Sequence, residues 1–153
     1  GHIAVQGADD IPCRCGNLGC LEAVAGSDAI ARRLREEGIE VSGSAQIVAL
    51  VRSGDLNAAR ALRQAGRDVG TVLAACVSML NPSMIVIGGS IAEAGEQLMA
   101  GIREVVYSRS LPLATQHLRV VASRARGEAA ILGASALAVD HVLSADAIDA
   151  ALA

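Results

Sequence analysis

Three cysteines within eight residues, Cys13-Arg14-Cys15-Gly16-Asn17-Leu18-Gly19-Cys20, restrict this chain more than any other stretch of it. Gly16 and Gly19 let the backbone turn sharply between the thiols, because a residue without Cβ enters left-handed conformations at little cost. Thiolates gathered around one point suit zinc, which takes four tetrahedral ligands of soft or borderline character. Three cysteines need a fourth partner, and His2, eleven residues before Cys13, is the only histidine nearby. A Cys₃His set of His2, Cys13, Cys15 and Cys20 follows. Two other readings stay open on spacing alone. The thiols could be free and structural, or two of them could form a disulfide, although Cys13 and Cys15 are too close in sequence for an easy bridge. Without a metal, His2 reads as a frayed terminus. Cys76 differs: it falls on the apolar stripe of a helix and reads as a small buried hydrophobe.

The rest of the composition bounds the function classes. The chain has 153 residues, 52% apolar and 19% charged, which suits one globular domain with a real core. Tyr107 is the only aromatic residue, so the core must be built from Ala, Val, Leu and Ile. There is no lysine, which excludes a Schiff-base or phosphate-loop lysine within these residues. A net charge of −3 with no aromatic–basic cluster argues against nucleic-acid contact by this domain. No apolar run approaches the roughly 18–20 residues needed to span a bilayer, and no signal peptide is visible, so we expect no membrane contact and a cytoplasmic location. The chain starts without Met and reads as a fragment.

Along the chain, residues 1–22 have the composition of a loop, and residues 23–82 read as helical. Leu21, Val24, Ile30 and Leu34 recur at helical spacing, with Ser27 or Asp28 as a cap for a second helix and Gly38 as its stop. Ser44 is the expected cap of a short helix through Ile47, Val48 and Val51. Asp55 opens the longest pattern, with Leu62, Val69, Leu73, Cys76 and Leu80 on one stripe, and Asn81-Pro82 closes it. Gly66 and Gly70 lie close to that stripe. Each mid-helix glycine costs about 1 kcal/mol relative to alanine, and two of them predict a closely packed neighbour. Residues 83–143 alternate strands and helices. Met84-Ile85-Val86-Ile87 reads as a buried parallel strand, and Ser90 starts a helix with Ile91, Leu98, Ile102 and Val106 inward. Leu118 to Val121 reads as a second strand, Glu128 to Leu143 as a helix, and 144–153 as a tail. The alternation argues an α/β fold with a mainly parallel sheet.

The motif itself resembles that of a known family. Gly1-His2 followed by Cys13-x-Cys15-Gly16-x-x-Gly19-Cys20-x-Glu22 is similar to the signature of the ROK family (repressors, open reading frames and sugar kinases). The resemblance covers Gly1 to about Leu137. It implies that the chain is the carboxy-terminal lobe of the actin-like (ribonuclease H-like) sugar-kinase fold, with inserted helices and a zinc-bound loop. It implies that His2, Cys13, Cys15 and Cys20 hold a structural zinc, and that Glu22 and His2 contact a sugar. Ile87-Gly88-Gly89-Ser90 resembles the fold's adenosine motif. Gly88 and Gly89 are therefore the expected nucleotide-side residues, with ATP a cofactor only if the parent is a kinase. Gly133-Ala134 would match a connecting helix that is crossed closely by a neighbour. The phosphate loops and the catalytic aspartate of the fold have no counterpart here. Asp9, Asp10, His117 and His141 read as surface residues.

Two parents fit the resemblance. One is a transcriptional regulator that binds DNA through a separate amino-terminal domain and senses a sugar through this lobe. The other is an ATP-dependent hexokinase or glucokinase. Tyr107-Ser108-Arg109-Ser110-Leu111-Pro112-Leu113-Ala114-Thr115 and the tail after Ala138 look more like the regulators. The resemblance also implies a homodimer or larger assembly, and a fragment without kinase activity of its own.

Overall fold

Regular structure begins directly after the last cysteine of the loop. The computed structural model describes residues 1–152, so Ala153, the last residue of the expected tail, lies outside the described residues. Four helices come first: α1 (Leu21–Ala25), α2 (Ser27–Glu36), α3 (Ser44–Arg52) and the long α4 (Leu56–Leu80). Strand β1 (Met84–Ile87), a 3₁₀ turn at Ser90–Ala94, α5 (Glu96–Arg109), the short α6 (Pro112–Thr115) and β2 (Arg119–Ala122) follow. Helices α7 (Ala129–Val142) and α8 (Ala145–Leu152) end the described chain. β1 and β2 pair in parallel, Met84 opposite Arg119 through Ile87 opposite Ala122. The fold is α/β, as the alternation predicts.

Helix α4 is the spine. Asp55 caps it by accepting from the Ala58 N–H at 2.8 Å. Asn81 ends it in the left-handed region at φ 44°, before Pro82. Its buried side chains Ala58, Ala61, Leu62, Ala65 and Val77 pack with Ile30 and Leu34 of α2, Ile47 of α3, and Met99, Ile102 and Val106 of α5. The close neighbour predicted by the mid-helix glycines is α5. A Cβ at Gly66 would stand 2.3 Å from the Leu98 carbonyl oxygen, and one at Gly70 2.9 Å from that of Ile102. Arg63 and Arg67 of α4 reach across to Glu104 of α5, and Arg33 of α2 pairs with Asp68 of α4 at 3.0 Å.

Several expectations are corrected. Leu80 is not on the buried stripe: it is 73% exposed in the last turn of α4. β1 is not a buried strand, since Met84 and Val86 face outward while Ile85 and Ile87 pack on the core. A sheet of only two described strands gives that outer face nothing to lie against. Gly26, not Ser27 or Asp28, is the cap position of α2, and Gly43 that of α3. Instead of Ser44 capping α3, the Gln46 side chain turns back to accept from the Ser42 N–H at 2.8 Å. Ser90 opens only the 3₁₀ turn, and α5 starts after Gly95. α7 packs its apolar residues on nothing in the described chain: Ile131, Leu132, Leu137, Val139 and Val142 are all more than half exposed. Gly133 likewise has no neighbour within 4 Å of a built Cβ, so the expected close crossing is absent among the described residues.

Candidate metal and ligand site

Residues 1–20 fold into a double-turned loop held by its own backbone. Ala4 bridges Cys20 and Pro12 bridges Leu18, both antiparallel. The Val5 N–H donates to the Gly19 carbonyl at 2.8 Å, and the Gly19 N–H to that of Ile11 at 2.7 Å. Gly19 sits at φ 68°, and a Cβ there would meet the Ala8 carbonyl oxygen at 2.9 Å, so this position requires glycine on two counts. The apolar support beneath is slight: Val5, Ala8 and Val24 are buried, with Ile11, Leu21 and Val72 partly so. Each buried Val contributes about 1.5–3 kcal/mol, whereas a structural zinc contributes about 10–16 kcal/mol. A metal would therefore dominate the stability of this loop.

The fold brings the four expected ligands to one point. One donor atom from each of His2, Cys13, Cys15 and Cys20 lies within 4.8 Å of every other. Cys13 Sγ is 3.5 Å from His2 Nδ1, and Cys15 Sγ is 3.6 Å from Cys20 Sγ. A tetrahedron with ligand bonds of about 2.0–2.3 Å has edges of roughly 3.3–3.8 Å, so both distances fit a zinc between these donors. The donor chemistry fits as well. Burial pushes the Cys20 thiol up to about 12, and the Cys15 and Cys13 sulfurs beside it push in the same direction. The Cys15 thiol is held below its ordinary value, chiefly by a hydrogen bond with the Asn17 backbone. A buried thiol that resists ionisation beside two others is relieved by a cation, which replaces the proton. All four cysteines of the chain are unbridged, so the disulfide alternative is not what the fold contains.

His2 joins this cluster to a carboxylate. Its Nδ1 faces Cys13, and its Nε2 lies 3.6 Å from Glu22 Oε2. The pairing is fixed by the backbone, because the Glu22 N–H donates to the Gly1 carbonyl at 2.9 Å and the Leu21 N–H to that of Ile3 at 2.8 Å. Glu22 stands in the first turn of α1, two residues past the last cysteine, with 57% of its side chain open to solvent. Beside it lies a cleft of about 170 Å³ lined also by Arg14, Ala23, Asp28 and Arg32. Arg14 pairs with Asp28, and Arg32 donates to the Ala23 carbonyl at 3.2 Å. Sequence reasoning missed these three polar residues. Only the fold shows that α2 turns Asp28 and Arg32 back over the loop to meet Arg14.

Gly88 and Gly89 belong to a separate cleft of about 310 Å³ at the carboxyl ends of β1 and β2. Arg52, Glu93 and Ser123 line it with them, and Arg52 donates to the Glu93 carbonyl at 3.1 Å. Ser123 directly follows β2, a strand-end position that sequence reading could have marked. Asp9, Asp10, His117 and His141 are exposed and join neither cleft.

Comparison with known proteins extends the motif to the whole chain. Residues 1–141 match the ROK family. The chain is 33% identical over 146 residues to the DNA-binding transcriptional dual regulator NagC of Escherichia coli, covering 90% of this chain and 36% of that protein. It is 32% identical over 157 residues to a glucokinase of Thermotoga maritima, covering 93% of this chain and 49% of the kinase. A ROK family transcriptional regulator, described as a homolog of the E. coli MLC protein, superposes with a TM-score of 0.71 at 32% identity. That match covers 80% of this chain and 33% of the regulator. The chain thus spans less than half the length of these relatives, and regulators and kinases stand side by side among them. With the cysteine motif, the α/β fold and a match over nearly all its residues in agreement, the chain belongs to the ROK family.

Proposed function

We propose that this chain is the zinc-containing, sugar-binding carboxy-terminal lobe of a ROK transcriptional regulator. The observation that carries the reading is the placement of His2, with one ring nitrogen in the cysteine cluster and the other against Glu22. His2, Cys13, Cys15 and Cys20 would hold the zinc, which supplies structural rigidity and no chemistry on the ligand. Glu22 would accept hydrogen bonds from two sugar hydroxyls, and His2 would orient the ligand beside it. DNA contact would come from a separate domain of a cytoplasmic homodimer or larger assembly, since this lobe is acidic and has no basic groove-reading helix. The sugar would then act by binding one domain arrangement better than another. A coupling of about 1–3 kcal/mol shifts operator affinity roughly 5- to 150-fold. The test is operator affinity of the full-length parent at fixed salt, with and without candidate sugars. Glu22→Gln should blunt the sugar response while sugar-free operator binding persists. No sequence-specific DNA binding together with sugar phosphorylation would overturn the reading.

A second reading, the corresponding lobe of an ATP-dependent sugar kinase, is favoured by the cleft at Gly88 and Gly89. A glycine turn at the carboxyl ends of parallel strands is where α/β folds take nucleotides. In that reading Gly88 and Gly89 lie against the nucleotide, and another part of the parent supplies the catalytic base.

A further inference from the structure

The four ligands of the cluster are not equivalent toward solvent. Cys20 is 1% exposed, Cys13 is partly buried with its sulfur against His2, and Cys15 is open. The open thiol stands 3.6 Å from the buried one, with the Cys13 sulfur also within 4.8 Å of both. A disulfide needs about 2.05 Å between sulfurs. Closing the gap falls to a five-residue step whose backbone already turns through the left-handed region at Gly16 and Gly19. Cys13 is the poorer partner for Cys15, because only Arg14 separates the two. Apart from its backbone hydrogen bonds, the loop has slight apolar support, with only Val5, Ala8 and Val24 buried beneath it.

We propose that Cys15 is a site of oxidative modification, with Cys20 as its resolving partner, so that a peroxide converts the zinc-holding loop into a disulfide-bridged, zinc-free one. The proposal rests on the reading of the cluster as a zinc site. The Cys15 thiolate attacks one peroxide oxygen; an S–O bond forms, the O–O bond breaks, and the departing hydroxide takes up a proton as water. The Cys20 thiolate then attacks the sulfenic sulfur; an S–S bond forms, the S–O bond breaks, and a second hydroxide leaves. Two thiolates lose two electrons in total and one peroxide gains them. Zinc is left with His2 and Cys13 only and dissociates. Because Glu22 lies two residues beyond Cys20, and His2 loses the metal that orients it, both ligand-facing side chains are released together.

The experiment uses the whole zinc-loaded chain, reduced and free of chelator. Its zinc content is measured first, and a chain without zinc would sink the zinc reading itself. Hydrogen peroxide is then added, with released zinc followed by a chromophoric chelator and thiols mapped by alkylation and mass spectrometry. The expected result is one zinc released per chain, a Cys15–Cys20 bridge lighter by two hydrogens, and Cys13 and Cys76 still alkylatable. Reductant plus zinc should restore the starting state. Cys76→Ser should behave as the parent does. Cys15→Ser should form no bridge to Cys20. Zinc retained under excess peroxide, a bridge through Cys13 or Cys76, or Cys15 driven to sulfinic acid without a bridge would each overturn the proposal.

Discussion

Gly101 of α5 packs so closely on α4 that a Cβ at position 101 would stand 2.2 Å from the Arg63 carbonyl oxygen. The two longest core helices therefore meet backbone to backbone, and alanine at 101 must force them apart. Overpacking of this kind costs about 1–3 kcal/mol, so Gly101→Ala should lower the thermal midpoint. Gly133→Ala, in the interior of α7 with open space around it, should instead gain up to about 1 kcal/mol of helix propensity. Opposite signs for the two glycines, read by thermal unfolding, check the packing assignment.

The metal cluster predicts one zinc per chain in protein purified without chelator. Cys13→Ser should reduce the zinc content and speed amide exchange across residues 1–22. Protection of α4 and α5 should remain, because their main core cluster includes no loop residue and only Val72 of α4 packs beneath the loop. Uniform loss of protection along the chain would show instead that the loop is needed for the core.

How much of this was legible in the sequence follows from the physics of each element. The gathering of His2, Cys13, Cys15 and Cys20 was, because four ligand-type residues in a short span leave few geometries. Helix α4 was, through its Asp55 cap and Asn81-Pro82 stop, and its glycines announced a neighbour without naming it. The outward face of β1 was not, because a short apolar run reads alike whether it is covered or open. Nor were Arg14, Asp28 and Arg32 legible as one group. They lie on different elements, and only the turn at Gly26 brings them to one cleft with Glu22.

Glu104 carries a pH dependence. Hydrogen bonds first from Arg67 and then from Arg63 hold its carboxyl below the ordinary glutamate value. A depressed folded-state value stabilises the fold above the unfolded value, and that contribution is lost as pH falls through the folded one. Glu104→Gln should therefore lower the thermal midpoint slightly at neutral pH, with the difference from the parent vanishing in acid. The group is well exposed, so added salt should also shrink the difference at neutral pH. A difference that persists in both acid and high salt would place the origin in packing instead.

On the proposed reading, residues 1–153 alone should show no sugar-dependent ATP turnover in a coupled assay, because the phosphate loops and catalytic aspartate of the sugar-kinase fold have no counterpart in their motifs. Light scattering at micromolar concentration should give a mass above that of the monomer. Helix α7 exposes five large apolar side chains that a second surface is expected to cover. Clear turnover, or a monomer mass, would count against the proposed lobe and its assembly.

The hydrogen bond from the Glu22 N–H to the Gly1 carbonyl has a consequence for descent. It sets Glu22 beside His2 through the same chain crossing that brings His2 to the thiols. A lineage could discard Glu22 by a single substitution and keep the His2, Cys13, Cys15 and Cys20 cluster, because the carboxylate is not one of its donors. The reverse is not as independent: without the cysteines, His2 would keep only the backbone crossing and Glu22 to orient it.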